Sequence, residues 1–418
     1  MNILYIVPYV PNLIRVRPYN LIRQLGERGH AVTLVTLWIS EKEGESLSQL
    51  EGLCSRVIAV RLPAWRSLIN CLQALPTDAP LQAAYSWDPG LARQAVESAV
   101  SSNGKGGFDV IQVEHLRGVR YGLFLQSWLK GSKAEVPIVW DSVDSISHLF
   151  RQAMVQSRSA LSRGMTRFEL GRTETYEAQM AARFDHTLVT SEIDRRAFLS
   201  LGVNGDGQAN ISVLHNGVDL DYFCVDQGAV REPATLVVSG KMSYHANVAM
   251  VTRLVDEIMP AVWSERPDVK VLVVGKDPPQ KLTSLGDHPN ITVTGTVPDL
   301  RPYLHRATIA VAPVAYGAGI QNKVLEAMAC GTPVVASPQA VSAIGLTPGE
   351  QAVVADNPQD FSSAILGLLE DPEHRHQVGL AGRRFVEQNH HWGAITARLE
   401  EIYRDTIDRK RKQTGSNN

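Results

Sequence analysis

Cysteine is scarce in this chain of 418 residues, and its four copies stand far apart. No two of them have CxxC spacing, and they stand at Cys54, Cys71, Cys224 and Cys330. Scattered cysteines exclude a disulfide framework and the common structural zinc sites, and they are typical of a reducing compartment.

Long apolar runs, a strong net charge and a basic leader are absent as well. No stretch approaches the roughly 18 consecutive apolar residues of a membrane span. The formal net charge is −2, which argues against a general nucleic-acid binder. The opening residues, MNILYIVPYV, lack a basic region and a small-residue cleavage site. We therefore expect a cytoplasmic protein without a nucleic-acid partner.

The GxGxxG fingerprint of dinucleotide-binding domains is missing between the first predicted strand, residues 2–7, and the helix that follows. A nicotinamide-dependent dehydrogenase thereby loses its main support. Arg15 and Arg17 stand in that connection instead. They are either contacts for an anion or an acceptor, or the solvated start of a helix.

Apolar residues make up 44% of the chain, and their runs alternate with helical segments. This alternation predicts doubly wound parallel sheets, and the length favours two domains. The predicted strands of the first half are 2–7, 31–37, 57–62, 108–113, 136–140, 187–190 and 211–214. Those of the second half are 235–239, 269–274, 291–294, 309–312 and 334–336.

These patterns divide the chain into five parts. Residues 1–215 are predicted to form an N-terminal domain, 216–233 a linker, and 234–390 a C-terminal domain. Residues 391–408 are predicted to form a helix that packs back toward the N-terminal domain, and 409–418 to be a disordered tail.

Polar side chains follow two predicted strands of the first half. His115 follows the strand at 108–113, while Asp141 and Asp144 follow the strand at 136–140. The carboxyl ends of parallel strands are where open α/β sheets place ligands. A helix N-cap explains one of the two aspartates as well as chemistry does.

Two further patterns have both a structural and a functional interpretation. Residues 151–172 hold five arginines and a single acid, Glu169. This is either a solvated helix face or a surface that attracts anionic lipid headgroups or a phosphorylated acceptor. The DxD of Asp219-Leu-Asp221 lies on an Asn-Gly turn without a third ligand, so we assign it to turn chemistry and predict no metal site.

The most informative stretch is YGAGIQNKVLEAMACGTPVV, residues 316–335. It predicts a strand end, a glycine-containing loop, a helix and another strand, and such a helix N-terminus binds phosphate well. Lys323 and Glu326 share one face of that helix. Alone they read as a surface ion pair, whereas beside the glycine loop they suit a diphosphate and a hydroxylated sugar.

Together these motifs resemble the retaining nucleotide-sugar glycosyltransferases of family 4. The resemblance rests on SerGlyLysMet at 239–242, ThrGlyThrValProAsp at 294–299 and the stretch at 319–335, and more weakly on HisAsnGlyValAspLeuAspTyrPhe at 215–223. The stretch at 319–335 has the Gly-Ile-x-Asn-Lys-x-x-Glu form of one sub-branch. The resemblance implies that residues 1–215 are the acceptor-side domain and residues 234–390 the donor nucleotide-sugar-binding domain. It implies a GT-B fold, in which two Rossmann-like domains face one another across a cleft.

The resemblance also implies roles for individual residues. Glu326 matches the carboxylate that binds the ribose hydroxyls, and Lys323 and Lys241 match diphosphate contacts; with Asp141 they are the predicted catalytic group. The remaining predicted donor contacts are Asn216, Gly217, Gly240, Thr296, Val297, Gly319, Ile320, Gln321 and Asn322. The predicted acceptor-side residues are Arg15, Arg17, His115 and Asp144. No metal or other cofactor is expected.

One departure from the family pattern concerns the donor sugar. Ala318 stands where members usually carry a second glutamate, eight residues before the one matching Glu326. We expect a retaining, hexosyltransferase-like enzyme that serves glycan, exopolysaccharide or glycolipid synthesis, with a saccharide or a lipid-linked saccharide as acceptor. The alternatives are a nucleotide-sugar epimerase on the same fold and a catalytically silent binding subunit.

Overall fold

The computed structural model describes residues 1–12, 15–101, 107–129, 136–156, 160–202, 209–226, 228–316 and 320–415. The chain divides into two compact units. The first comprises Met1–Leu214 together with Trp392–Asn418, and the second comprises His215–His391.

The first unit is built on a parallel sheet of seven strands in the order β3-β2-β1-β4-β5-β6-β7. Its strands are β1 (Asn2–Val7), β2 (Ala31–Trp38), β3 (Arg56–Arg61), β4 (Val110–Glu114), β5 (Ile138–Val143), β6 (His186–Val189) and β7 (Ile211–Val213). Its helices before the second unit are α1 (Val16–Glu27), α2 (Glu41–Glu45), α3 (Leu47–Glu51), α4 (Ala64–Ala74), α5 (Leu81–Tyr85), α6 (Pro89–Ser101), α7 (His115–Leu129), α8 (Ile146–Gln156), α9 (Ala160–Arg183) and α10 (Glu192–Ser200).

The second unit has a parallel sheet of six strands in the order β10-β9-β8-β11-β12-β13. Its strands are β8 (Thr235–Ser239), β9 (Lys270–Val274), β10 (Ile291–Gly295), β11 (Ile309–Ala312), β12 (Val334–Ala336) and β13 (Val353–Val354). Its helices are α11 (His245–Arg253), α12 (Met259–Glu265), α13 (Gln280–Thr283), α14 (Arg301–Arg306), α15 (Asn322–Ala329), α16 (Pro338–Val341), α17 (Pro358–Glu370) and α18 (Pro372–Asn389), with a π turn at Leu254–Ile258 and a 3-10 turn at Ser284–Asp287.

The last helix, α19 (Trp392–Gly415), packs in the first unit although it follows the second in sequence. Six large side chains on one of its faces are buried against α1 and the sheet, namely Trp392, Ile395, Leu399, Ile402, Tyr403 and Ile407. On the same helix, Glu400 accepts hydrogen bonds from Arg28 (Nη2, 3.1 Å) and pairs with His30 (2.8 Å). The helix is therefore part of the core of the first unit.

The fold class predicted from the sequence is confirmed, since both halves form Rossmann-like parallel sheets with helices around them. Each predicted strand is present with ends shifted by at most three residues. The two-residue strand β13 was not predicted, because its only support is a parallel pairing with β12 that local sequence does not encode.

Two of the predicted segment boundaries differ from the structure. Residues 216–233, expected to be a linker, lie in the second unit, where Phe223 packs on the core and Arg231 donates to the carbonyls of Ala307 (2.7 Å) and Gly331 (2.9 Å). Residues 409–415, expected to be disordered, continue α19.

Contacts of the side chains explain the longer helix. Arg409 donates to Nδ1 of His186 (2.9 Å), and Lys410 pairs with Asp185 (2.8 Å). Both bonds tie the last turns of α19 to the start of β6. Among the described residues, no helix has the length and apolar character needed to cross a membrane.

Candidate functional site

The strand order of the second unit reverses between β8 and β11, which are neighbours in its sheet. In open α/β sheets, ligands bind outside the carboxyl ends of the strands at such a switch point. Strand β8 ends at Ser239 and is followed by Gly240, while β11 leads through the segment from Tyr316 to Ile320 into α15. The sheet therefore places the two strongest sequence motifs beside each other.

Two glycines at neighbouring strand ends allow the backbone to pass very close to other atoms. Gly275 has φ +152°, and a Cβ there would lie 1.7 Å from the carbonyl oxygen of Gly240. Gly240 has φ +147°, and its Cβ would lie 2.8 Å from Nδ2 of Asn247 and 3.3 Å from Cε of Lys323. A side chain at either position would displace its neighbours. The same geometry brings Gly240 close to Lys323, and both are predicted donor contacts.

The start of α15 presents polar atoms around Lys323. Gln321 caps the helix, and its Oε1 accepts a hydrogen bond from the Lys323 ammonium (2.8 Å). Oδ1 of Asn322 is buried without a hydrogen-bond partner in the described part of the chain. Ile320, just before them, is buried in the core. An unpaired buried oxygen is costly unless a ligand or water satisfies it.

Lys323 and Glu326 influence one another electrostatically from adjacent turns. Burial lowers the pKa of Lys323 to about 8, although Glu326 opposes the shift. Burial raises the pKa of Glu326 to about 7, although Lys323 opposes it. Within the described residues the Glu326 carboxylate accepts no hydrogen bond and forms no ion pair at contact distance. The charges of both groups are therefore poorly compensated.

A histidine and a tyrosine that sequence reasoning did not assign to the site also meet here. His245 begins α11, and its ring stacks on that of Tyr316 with centroids 5.5 Å apart. Nδ1 of His245 lies 3.0 Å from the Tyr316 hydroxyl. Both residues flank motifs that were recognised, Gly240-Lys241 and the glycine loop. Their pairing across 71 residues gives no local signal in the sequence.

The remaining predicted donor residues make fewer contacts with the start of α15. Lys241 is exposed, and its backbone carbonyl accepts from Nδ2 of Asn247 (2.9 Å). Thr296 is exposed and Val297 packs partly on the core, directly after β10. In the described part of the chain, no contact joins Thr296 or Val297 to Glu326.

Asn216 and Gly217 lie at the start of the second unit, more than a hundred residues before α15. The carbonyl of Asn216 lies 2.8 Å from Nδ1 of His390, and Val218, two residues further on, pairs with His391 in an isolated parallel β-bridge. Gly217 is buried between them. Gly319 and Ala318, to which the sequence assigned a donor contact and a departure from the family pattern, lie outside the described residues.

In the first unit the strand order reverses between β1 and β4, and a buried polar network lies at the ends of these strands. Glu114 ends β4 without any exposure, and its carboxylate accepts from the hydroxyls of Tyr5 (3.0 Å) and Tyr9 (2.7 Å). Nε2 of Gln112 donates to the Tyr5 hydroxyl (2.8 Å) and to Asp141 (3.3 Å). One hint of this network is visible in the sequence, namely a glutamate that ends an apolar strand.

Asp141 and Arg17 form a buried ion pair in the same network. Nε of Arg17 lies 2.9 Å from Oδ2 of Asp141, and its Nη2 lies 3.2 Å from Oδ1. Nη1 of Arg17 donates to the carbonyl of Leu214 (2.9 Å). These bonds account for both side chains without a ligand. The catalytic role of Asp141 and the acceptor contact of Arg17 stay predictions that no contact here supports.

The other acceptor-side predictions fall around the same strand ends. Arg15 pairs with Glu43 (3.2 Å) and lies over the Tyr9 ring at 4.7 Å. Burial lowers the pKa of His115 to about 3. Burial, with a smaller effect from Asp194, raises the pKa of Asp144 to about 6. These residues stay partly accessible, since none of the three is fully buried.

Backbone strain occurs at the ends of β4 and β5. His115 has φ +60° and Val143 has φ +70°. Positive φ is uncommon for a residue with a side chain, and for a β-branched one it is a true outlier. Strain of this kind clusters at functional sites. Both strained residues lie at the carboxyl ends of neighbouring strands, where His115 and Asp144 are found.

The buried network gives a testable pH dependence. Burial, with help from Asp141, raises the pKa of Glu114 to about 8 from its ordinary 4.5. The folded protein thus holds this proton more tightly than the unfolded chain, so the contribution of Glu114 to stability falls as pH rises through that interval. We expect Glu114→Gln to become more stable relative to wild type between pH 5 and pH 8, by roughly 2 kcal/mol or more at about 1.4 kcal/mol per pKa unit.

Urea unfolding followed by tryptophan fluorescence measures this change in the first unit. That unit holds six tryptophans, and the second unit holds only Trp263. Glu97→Gln, at an exposed site on α6, is the matched control and should leave the pH dependence unchanged. Equal slopes for wild type and Glu114→Gln would show that Glu114 is already ionised in the folded protein at pH 5.

The basic stretch 151–172 is partly compensated within the first unit. Arg151 pairs with Glu174 (2.8 Å), and Arg172 pairs with Glu169 (2.9 Å). Arg158 lies outside the described residues. Arg163 and Arg167 are exposed on α9.

The DxD sequence forms a turn, as predicted. Oδ1 of Asp219 accepts from the backbone amides of Asp221 (3.2 Å) and Tyr222 (3.1 Å). In the part of the chain that the structure describes, no cluster of three histidine, cysteine or acidic side chains is arranged to hold a metal ion.

Comparisons with protein families give one match in each unit. Residues 14–217 match the family described as "Glycosyl transferase 4-like domain", and residues 233–371 match the family described as "Glycosyl transferases group 1". These matches confirm the predicted resemblance at the level of the two domain families. The finer prediction, the Gly-Ile-x-Asn-Lys-x-x-Glu sub-branch, stays a prediction.

Curated relatives are similar over part of their length. The chain is 32% identical over 208 residues to a D-inositol 3-phosphate glycosyltransferase of Mycobacterium sp. (strain JLS), covering 46% of each chain. It is 31% identical over 156 residues to a GDP-mannose-dependent monoacylated alpha-(1-6)-phosphatidylinositol monomannoside mannosyltransferase of Corynebacterium glutamicum, covering 34% of this chain and 41% of the relative. The chain thus spans less than half the length of these two relatives.

A solved structure shares the fold over nearly the whole chain. It is Anabaena Alr3699/HepE in complex with UDP and glucose, with a TM-score of 0.67 at 15% identity, covering 97% of this chain and all of the other. At this identity the similarity shows the fold alone, which is that of GT-B glycosyltransferases.

Proposed function

We propose that this chain is a retaining glycosyltransferase that moves a hexose from a nucleoside diphosphate sugar to a hydroxyl acceptor. The observation that carries the proposal is the arrangement of Gly240, Lys323 and Glu326 at the switch point of the second sheet. A close backbone approach, a desolvated ammonium and a carboxylate that accepts no hydrogen bond from the described residues match the parts of a ribosyl diphosphate.

Each group in this site has a distinct proposed role. Lys323 binds the diphosphate. The negative charge of the bound diphosphate would raise the pKa of Lys323 back toward its ordinary value. Glu326 accepts hydrogen bonds from the two ribose hydroxyls. The amides near Gly240, Ile320 and Gln321 add donors for the phosphate oxygens, with Lys241 and Asn322 at the rim.

The step that the site promotes is departure of the nucleoside diphosphate. The bond between the anomeric carbon and the diphosphate oxygen breaks, the acceptor oxygen forms the new bond on the same face, and the acceptor proton passes to the leaving phosphate. Fixed positive charge and oriented amides stabilise the developing negative charge without a protein nucleophile. In this proposal no metal ion takes part.

The names of similar proteins support the substrate classes. One relative is named for an inositol phosphate acceptor, another for a phosphatidylinositol mannoside, and HepE holds UDP and glucose. We propose a saccharide or lipid-linked saccharide as the acceptor, bound in the first unit near His115, Asp144 and Arg15. The pathway would be glycan, exopolysaccharide or glycolipid synthesis.

Thermal unfolding with a panel of nucleotides tests the donor site. A ligand that binds only the folded state at 100 times its Kd stabilises by about 2.7 kcal/mol. We expect UDP, GDP or ADP, and one of the corresponding sugar nucleotides, to raise the unfolding temperature, while the matching nucleosides do not. EDTA should leave the shift unchanged.

An assay of the products then separates the remaining functions. Acceptor-dependent release of nucleoside diphosphate, with the anomeric configuration of the donor kept in the product, supports the transferase. Turnover of the donor without an acceptor would indicate an epimerase. Binding without turnover of any donor and acceptor pair would indicate a silent subunit. No stabilisation by any nucleotide would contradict the donor site itself.

A further inference from the structure

Helix α4 buries small or polar side chains and exposes large apolar ones, which is the reverse of an ordinary surface helix. The side chains that face the protein are small or polar: Ser67, Asn70 and Ala74 are buried. Asn70 fixes this orientation, since its Nδ2 donates to the backbone carbonyls of Trp87 (2.8 Å) and Tyr85 (3.3 Å).

The large apolar side chains of α4 and the residue after it face outward. Each is between 43% and 62% exposed, and they are Trp65, Leu68, Ile69, Leu72 and Leu75. Their spacing places the first four on one helical face. Monomeric proteins rarely expose a contiguous apolar face of this kind unless it binds something. We call these five residues the α4 face.

Helix α9 lies beside the end of α4. Arg172 donates to the carbonyl of Ala74 (2.5 Å), and the carboxylate of Glu169 accepts from the amide of Leu81 (2.8 Å). Met165 and Phe168 of α9 are also exposed. The apolar surface therefore extends from α4 toward α9.

The charges on this part of α9 have one sign. Arg163 and Arg167 are exposed, and the only acidic residue between 160 and 172, Glu169, is buried and paired with Arg172. An apolar face with leucines and a tryptophan, bordered by arginines, is the composition of a helix that lies in the interface of an anionic bilayer.

The same charges disfavour a second copy of this chain as the occupant. In a two-fold symmetric dimer the same patch meets itself, so the arginines of one copy would approach those of the other. An anionic lipid surface instead complements them.

We propose that the α4 face inserts into the headgroup region of an anionic membrane and that Arg163 and Arg167 bind lipid phosphates beside it. This inference is independent of the proposed transfer reaction, because it concerns a surface that holds none of the proposed donor residues. It would bring a lipid-linked acceptor to the enzyme in the plane of the membrane.

Co-sedimentation with vesicles tests the proposal on the full chain. The probes are vesicles of phosphatidylcholine with phosphatidylglycerol and vesicles of phosphatidylcholine alone. We expect binding to the anionic vesicles, reduced about tenfold or more in Leu68→Glu/Leu72→Glu. Arg163→Gln/Arg167→Gln should reduce it by a similar factor, at roughly 1 kcal/mol or fivefold per arginine, and should weaken its salt dependence.

Leu199→Glu/Leu380→Glu is the matched control, because both leucines are 40% exposed on other helices. It should bind like wild type. If the glutamate variant of the α4 face does not fold, Leu68→Ser/Leu72→Ser replaces it with the same expectation.

Several results would overturn the proposal. They are absence of vesicle binding, equal binding by the wild type and the α4-face variant, and equal loss in the control. Light scattering adds one more: a dimer that becomes a monomer in Leu68→Glu/Leu72→Glu would identify the α4 face as a self-association surface instead.

Discussion

Glu326→Gln is expected to lower the rate of sugar transfer by at least about a hundredfold while the protein stays folded. Hydrogen bonds to a charged group contribute roughly 1.5–3 kcal/mol each, and about 1.4 kcal/mol corresponds to a factor of ten. A carboxylate can accept from both hydroxyls of a ribose, whereas the amide keeps one acceptor and turns two donors toward the same group. Loss of two such bonds accounts for the expected decrease.

Stability should change in the opposite direction from activity. Burial raises the pKa of Glu326 to about 7, so keeping the carboxylate ionised at this site costs free energy. Replacing it with an uncharged amide of the same shape removes that cost. The thermal unfolding temperature above pH 7 is therefore expected to be unchanged or higher in Glu326→Gln, which separates a binding defect from a folding defect.

The pH dependence of donor binding supplies a second readout of the same site. Glu326 accepts hydrogen bonds best when ionised, above about pH 7, and Lys323 holds its proton below about pH 8. Binding of the nucleoside diphosphate should therefore be strongest between these values and fall on both sides. In Glu326→Gln the acidic limb should disappear, and in Lys323→Met the basic limb should disappear.

Glu265→Gln is the matched control, since Glu265 is exposed at the end of α12 in the same unit. It should keep wild-type transfer and the wild-type pH profile. Full activity in Glu326→Gln would sink the assignment of this helix as the nucleotide site, even if the protein proved to be a glycosyltransferase.

The fold was predictable because its determinants are local and repeated. The strand β1 reads as a continuous apolar run, and the structure buries all of its residues from Ile3 to Val7 completely. Strand β8 is also buried throughout, and β9 is buried except for Lys270 at its start. A parallel sheet covered on both faces requires such runs. The glycines after β8 and β9, Gly240 and Gly275, also stand at predicted strand ends in the sequence, and close backbone approach there leaves no room for a side chain.

The parts of the site that were missed depend on contacts between distant residues. Asp141 and Arg17 are 124 positions apart, and no local pattern in the sequence indicates that they pair in a buried network. A polar residue at a strand end predicts access to a ligand only when no neighbouring element supplies its partner. The outward apolar face of α4 was equally hidden, since periodicity alone does not tell which side of a helix is buried.

Removal of residues 392–418 is expected to unfold the first unit. The six buried side chains of α19 contribute roughly 1.5–3 kcal/mol each, so about 9–18 kcal/mol in all. A domain has only about 5–15 kcal/mol of net stability. The cut would also expose the apolar surface of α1 that α19 covers, and it would leave Gln112 without the Tyr403 hydroxyl that donates to it.

A shorter truncation provides the control for this experiment. Removal of residues 411–418 keeps Arg409, Lys410 and all six buried side chains, and residues 411–413 are exposed. This variant should unfold in urea like wild type, as reported by the tryptophans of the first unit. The longer truncation should show tryptophan emission of an unfolded chain without urea, or aggregate on expression.

Supplying the missing helix separately distinguishes a packing role from a nonspecific effect of truncation. Co-expression of residues 392–415 as a separate chain should restore a folded first unit, because the helix packs through side chains rather than through its covalent link to the second unit. In that experiment Leu399→Asp in the separate helix should abolish the rescue, since Leu399 is completely buried. A first unit that folds cooperatively without any of these residues would show that its core is complete without α19, and the burial of that helix would then be a consequence of the fold rather than a condition for it.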